Sequence, residues 1–316
     1  MSNVIETAER LRSEVGKAIV GQTGLINQVL VAILANGHVL LEGVPGVAKT
    51  LLVRSIAQAL DLQYTRIQFT PDLMPSDVIG TNVFDPRTVE FKLRKGPIFT
   101  NILLADEINR TPPKTQAALL EAMEERQSSI DGERHPLPDP FLVFATQNPI
   151  EFEGTYPLPE AQQDRFLMKT LVPYPAPEAE REVLKRFHEG FRSQNLSAAG
   201  IQAVANADQL KEMRAQADAV AVEPKILDYI LSIVTATRDH HEIQIGASPR
   251  AGLALLACGK ATAALKGRDF LIPDDVKEFA LPVLRHRVML RADVDTQGIT
   301  VDEVLLDLIN SREIPR

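Results

Sequence analysis

The chain has 316 residues, with 34 Lys and Arg against 42 Asp and Glu and a formal charge of −8. That length suits about two domains of roughly 100–200 residues each, and 45% hydrophobic with 24% charged residues is the balance of an ordinary globular protein. A single cysteine, Cys258, excludes an internal disulfide framework and fits a reducing compartment, while the acidic balance argues against broad nucleic-acid binding.

An N-terminal helix is expected first. The stretch MSNVIETAERLRSEVGKAIV carries charges where a secretory signal would be apolar. Residues 25–35 (LINQVLVAILA) read as a buried helix stopped by Asn36-Gly37. Their run from Val29 to Ala35 is the longest uninterrupted apolar one, far below the roughly 18 residues of a spanning helix. A cytoplasmic protein without membrane insertion is therefore expected.

From residue 24 to about 172 helix and strand alternate, which predicts a three-layer α/β domain with a mainly parallel sheet. Its strands are the short apolar runs His38–Leu41, Tyr64–Phe69, Ile102–Ala105, Phe141–Thr146 and Leu167–Val172, all patterned for burial on both faces. Two hairpins interrupt the series. Val78–Phe84 pairs with Val89–Arg94, where Val89, Phe91 and Leu93 alternate with charges, and Gln127–Ile130 turns through Asp131-Gly132 into Glu133–Leu137. After the proline-rich Pro173–Pro177, residues 178–189, about 208–217, 224–238, 249–266 and 273–286 read as helices with no strand series. The proline stretch divides the chain into 1–175, a nucleotide-binding domain, and 176–316, a linker and all-α lid.

The chemistry concentrates at two strand ends. Gly43-Val44-Pro45-Gly46-Val47-Ala48-Lys49-Thr50 follows a strand and opens the helix Lys49–Leu60, the setting of a phosphate-binding loop. Gly43 and Gly46 let backbone N–H groups curl around a phosphate, Lys49 neutralises its oxygens, and the Thr50 hydroxyl takes one Mg²⁺ position. The general pattern has Gly where this chain has Ala48. A methyl there is tolerated at helical dihedrals and clashes where φ is positive. Without its context the loop also reads as a strand–helix turn. Ile102–Ala105 ends in Asp106-Glu107, at the edge where α/β sheets place ligands. Asp106 suits the Mg²⁺ shell and Glu107 suits an attacking water, although a lone acidic pair also starts many solvated loops.

These blocks, with RIQFTPDLMPSDVIG at 66–80, LLADEINR at 103–110, FATQNPIEFEGTYPLPEAQQDRFLMK at 144–169 and GASPRAGLALL at 246–256, resemble the MoxR family of AAA+ ATPases. The resemblance covers residues 20–265 and includes Ala before the loop lysine. It implies the AAA+ core with a five-stranded sheet and a helical lid, ATP and Mg²⁺ as ligands, and a homo-oligomeric ring, as a hexamer. It also implies roles for single residues. Asn148 matches the first sensor, Arg165 a finger acting on the neighbouring subunit's nucleotide, and Arg250 the second sensor. Val20-Gly21-Gln22 matches the segment bracketing adenine, with Val44, Val47 and Leu51 completing the loop. The hairpins match a helix-2 insert (about 76–96) and a pre-sensor-1 hairpin (about 127–138). Read from the residues alone, Asn148-Pro149 is also a turn, Arg165 an ion-pair partner of Asp164 or nearby acids, Arg250 an ordinary helix-start arginine, and the hairpins capping loops.

The resemblance further implies a chaperone-like remodeller of protein complexes, including metalloenzymes, working with a von Willebrand factor A domain partner. A nucleic-acid motor and a nucleotide-gated scaffold with little turnover are the competing readings. Arg87, Lys92, Arg94 and Lys95 are the basic cluster that a nucleic-acid motor would need. Adjacent His240-His241, with no other His or Cys at zinc spacing, argue against a zinc site, and Cys258 reads as a packing residue.

Overall fold

The five apolar runs form one parallel sheet in a computed structural model that describes residues 2–149, 154–192 and 199–315. Residues 150–153 of the block 144–169 lie outside the described residues. The chain begins with α1 (Ser2–Gly16), α2 (Thr23–Leu34), β1 (Val39–Glu42), α3 (Lys49–Ala59), β2 (Tyr64–Gln68) and a short α4 (Pro75–Ile79). The first hairpin, β3 (Gly80–Asp85) and β4 (Glu90–Lys95), precedes β5 (Ile102–Asp106) and α5 (Pro113–Glu125). The second, β6 (Gln127–Ile130) and β7 (Glu133–Pro136), leads to β8 (Leu142–Gln147), α6 (Glu160–Gln163) and β9 (Met168–Leu171). Helix α5 fills a stretch for which the motif pattern singles out no helix; its Leu119, Leu120 and Met123 are buried at helical spacing.

The strand order is β2-β5-β8-β1-β9, so β1 and β5, the strands that end in the phosphate loop and in Asp106, flank β8. Period-2 alternation sorts the strand residues between two apolar clusters. Leu40, Leu103, Ala105, Val143 and Ala145 pack on one face with α5, and Val39, Leu41, Ile102, Leu104, Leu142 and Phe144 on the other. On the inner strands β1, β5 and β8 neither face meets water, which is why those runs lack polar alternation, whereas the edge strand β2 exposes Arg66 and Gln68.

Beyond the proline stretch come α7 (Pro177–His188), α8 (Ala207–Asp218), α9 (Pro224–Asp239), β10 (Ile243–Ile245), α10 (Pro249–Leu265) and α11 (Pro273–Leu284). They are followed by β11 (Met289–Leu290), α12 (Ala292–Asp295) and α13 (Val301–Asn310). The five expected helices are present. The antiparallel pair β10–β11 is an addition, its strands of three and two residues being too short to leave an alternating pattern. Helix α13 also goes beyond expectation; Thr300 and Glu303 close a capping box at its start. Helix α1 packs against α2 and α3 of the first half and α8 and α10 of the second, and one apolar cluster runs continuously through both.

Candidate functional site

Because all five strands are parallel, their carboxyl ends share one edge, and there β1, β5 and β8 deliver the phosphate loop, the acidic pair and Asn148 to a cavity of about 590 Å³. Val20, Pro45, Gly46, Ala48, Lys49, Thr50 and Leu51 line it, together with Asp106, Glu107 and Asn148. Gly21, Gly43, Val44 and Val47 are not among the lining residues; Val47 is buried in the core and Val44 packs on it.

The loop owes its course to two glycines and a strained alanine. A Cβ on Gly43 would lie 2.5 Å from the Val172 carbonyl oxygen, so close approach to the end of β9 forbids a side chain there. Ala48 has φ 62° and ψ 22°, the left-handed region, rather than helical dihedrals. The methyl therefore sits where the general pattern uses glycine, at a conformational penalty of about 1–2 kcal/mol. Lys49 Nζ donates to the Gly43 carbonyl at 2.5 Å. Burial lowers the Lys49 pKa, while Asp106, Glu107 and Glu42 act to raise it.

The acidic pair is braced by side chains that the motifs did not single out. Thr146 Oγ1 donates to Asp106 Oδ1 at 2.6 Å and accepts the Glu107 backbone N–H at 2.8 Å, so one hydroxyl on β8 positions both residues. Arg66 on β2 donates to Asp106 Oδ2 from Nε (3.0 Å) and Nη2 (2.6 Å). Gln68 Nε2 donates to Glu107 Oε2 at 2.6 Å, and Arg110 Nη1 approaches the same oxygen at 3.3 Å. Glu107 itself has φ 58°. Arg110 is a local neighbour, but Arg66, Gln68 and Thr146 lie about 40 residues away in sequence on adjacent strands, beyond the reach of local patterning. Thr50 and Asp106 present hard oxygen ligands of the kind Mg²⁺ takes. Among the described residues no group of three His, Cys, Asp or Glu gathers.

The far end of the cavity is apolar. Ala18, Ile19 and Val20 face Pro175 and the α7 side chains Val183 and Phe187. Gly21, at φ 71°, lets this segment press on α7, since a Cβ there would fall 2.4 Å from Ala179 Cβ. Arg186 ties the two walls together, donating to the Lys17 carbonyl at 2.6 Å.

Arg165 and Arg250 are not among the residues lining the cavity. Both pair with Glu124 near the end of α5: Arg165 Nη2 lies 3.1 Å from Oε2, and Arg250 Nη2 bonds Oε1. The nearby acid paired with Arg165 is thus Glu124 rather than Asp164. Asp164 instead accepts from Ser248 Oγ, the N-cap of α10, at 2.9 Å and from Arg287 Nε at 2.7 Å. Arg287, buried, also donates to the carbonyls of Asp164, Phe166, Leu167 and Val283. The two halves of the chain are tied through these groups.

Residues 38–168 match the model of the ATPase family associated with various cellular activities (AAA), and residues 235–308 match the AAA lid domain. Chaperone MoxR1 of Mycobacterium tuberculosis is 44% identical over 99% of this chain and 83% of its own. The chain belongs to the MoxR family of AAA+ ATPases. YeaC of Bacillus subtilis is likewise 44% identical, over 95% of this chain and 92% of its own. A crystal structure from Cytophaga hutchinsonii, described as a candidate ATPase, superposes with a TM-score of 0.90 at 40% identity, covering 100% of this chain and 98% of that one. As a member of this family the chain is an ATPase that binds nucleotide.

Proposed function

We propose that the chain hydrolyses ATP with Mg²⁺ as one subunit of a six-membered ring, and that the ring remodels client protein complexes in a chaperone-like role. The observation that carries the site reading is the convergence of Lys49, Thr50, Asp106, Glu107 and Asn148 on one cavity whose opposite end is apolar. That polarity matches a nucleotide: phosphates at the loop and a base among Ile19, Val183 and Phe187.

In this reading Lys49 leaves the Gly43 carbonyl for the β- and γ-phosphate oxygens, and backbone N–H groups of 45–50 cradle the phosphates. Thr50 and Asp106 hold Mg²⁺, which when bound neutralises charge developing on the phosphate oxygens. Glu107, kept in place by Thr146 and Gln68, orients the attacking water and accepts its proton. Asn148, buried and neutral, contributes a dipole without repelling the γ-phosphate.

Arg250 serves its own subunit's nucleotide and Arg165 that of the neighbour. Their shared hold on Glu124 is compatible with this, since exposed ion pairs are worth about 0–1 kcal/mol each and release readily. Residues 1–175 and 176–316 then act as core and lid around the nucleotide. The β3–β4 hairpin supports a protein client, because Phe84 and Phe91 pair across it at 5.4 Å while both stay exposed. A partner with a von Willebrand factor A domain and a cytoplasmic setting complete the proposal. No helix among the described residues is long and apolar enough to cross a membrane.

The test is Glu107→Gln, which should bind ATP as the parent does while losing nearly all hydrolysis. Arg165→Ala should bind ATP with little turnover, and mixing the two variants should restore activity. Unchanged hydrolysis in Glu107→Gln would sink the assignment, and no recovery on mixing would count against a site shared between subunits.

A further inference from the structure

We propose that Glu124 is a positioning residue of the ATPase: its carboxylate holds Arg250, together with Arg165, away from the nucleotide until a γ-phosphate competes for the guanidinium. The proposal rests on the sensor and finger roles given to these arginines above. Neither arginine lines the cavity, yet both reach one side chain by different oxygens. Arg165 Nη2 lies 3.1 Å from Glu124 Oε2, and Arg250 Nη2 bonds Oε1. Two cations sharing one carboxylate repel each other, so the arrangement depends on Glu124.

The roots of these side chains are fixed while their heads can swing. Ser248 Oγ donates to Asp164 Oδ2 at 2.9 Å and accepts the Arg250 backbone N–H at 3.2 Å, which stitches together the backbones that carry Arg165 and Arg250. Arg287 Nε holds the other oxygen of Asp164 at 2.7 Å. Glu124 follows the buried Met123 along α5, so its root is anchored in the core. The charged ends, by contrast, reach solvent: the side chains of Arg250, Glu124 and Arg165 are 49%, 37% and 31% exposed. Such pairs are screened and weak. A γ-phosphate brings more negative charge and more acceptor oxygens than a carboxylate, so it draws Arg250 away. A nucleoside diphosphate lacks that group. Glu124 therefore opposes the binding of a triphosphate alone, and neutralising it sharpens the preference for ATP over ADP.

The experiment measures binding of ADP and of a non-hydrolysable ATP analogue to the full chain, with Mg²⁺, by competition against a fluorescent nucleotide. Glu124→Gln keeps the size of the side chain and removes its charge. It should bind the ATP analogue about threefold more tightly, within the range an exposed ion pair allows, with ADP affinity changed less than about 1.5-fold. Added to Arg250→Ala, the same substitution should give no gain, because the arginine it releases is gone. A gain that persists in the double variant, equal shifts for the two nucleotides, or unchanged affinities in Glu124→Gln overturn the proposal. Melting of Glu124→Gln without nucleotide should stay within about 3 °C of the parent; a larger fall makes Glu124 a structural tie and also overturns it. Arg250→Ala alone separates this from failure of the sensor reading: it should weaken the ATP analogue and leave ADP nearly unchanged. An unchanged preference in Arg250→Ala would overturn the sensor reading and the proposal with it. A lost preference there, beside an unchanged one in Glu124→Gln, would overturn only the role of Glu124.

Discussion

Thr146→Val tests whether one hydroxyl organises the acidic pair. The substitution preserves shape and removes two hydrogen bonds at a side chain only 1% exposed. One bond goes to the Asp106 carboxylate and one comes from the Glu107 backbone N–H, at 2.6 and 2.8 Å. A bond to a charged group is worth about 1.5–3 kcal/mol and a neutral one about 1, so the loss is about 2.5–4 kcal/mol. At about 2 °C or more per kcal/mol for a chain of this size, melting should fall by about 5–10 °C. Glu107 sits in the left-handed region with its N–H tied to this hydroxyl, so turnover should fall more than about tenfold while ATP affinity changes little. Thr146→Ser, which keeps the oxygen, should restore most of both. Melting by differential scanning fluorimetry and ATP turnover by phosphate release give the two readouts. Parent-like turnover in Thr146→Val, or equal damage from the serine variant, would refute the reasoning.

Ala48→Gly relieves a left-handed alanine, but glycine adds about 0.5–1 kcal/mol of unfolded-chain entropy, so a net gain of about 0.5–1 kcal/mol, read as a slightly raised melting temperature, is expected. Arg287→Met leaves Asp164 and several carbonyls without their donor at a side chain 3% exposed, and should destabilise by about 3–5 kcal/mol with a matching drop in melting temperature. His38 stays neutral, with Nδ1 accepting Val143 N–H and Nε2 facing the Met123 carbonyl, and burial pushes its pKa down from 6.5 to about 3. Its folded pKa lies below its unfolded one, so its contribution is complete above pH 6.5 and is lost as pH falls toward 3. About 2 kcal/mol should be gone by pH 5, measurable as a lower urea midpoint than at pH 7. Buried His286 is shifted in the same direction and adds to that acid sensitivity.

How much of this was legible beforehand depended on sequence distance. The inner strands β1, β5 and β8 were readable because burial on both faces leaves continuous apolar runs, and strand bounds shifted by a residue or two at most. The paired strands β10 and β11 were not, being too short to show a period. Lys49, Thr50, Asp106 and Glu107 were identified because their contexts are local: a loop opening a helix and an acidic pair ending a strand.

Composition, motif and period by themselves determined the fold class, the family resemblance and the sheet edge where chemistry gathers, since parallel strands send all their carboxyl ends one way. Tertiary structure alone decided who touches whom there. Arg66, Gln68 and Thr146 reach Asp106 and Glu107 only because β2 and β8 lie on either side of β5. Glu124 gathers Arg165 and Arg250 across 41 and 126 residues of chain, and Arg287 closes on Asp164 across 123. The left-handed dihedrals of Ala48 follow from the course of the loop between β1 and α3. Such partnerships are set by strand order and helix packing, and neither leaves a trace in the residues flanking any one of the partners.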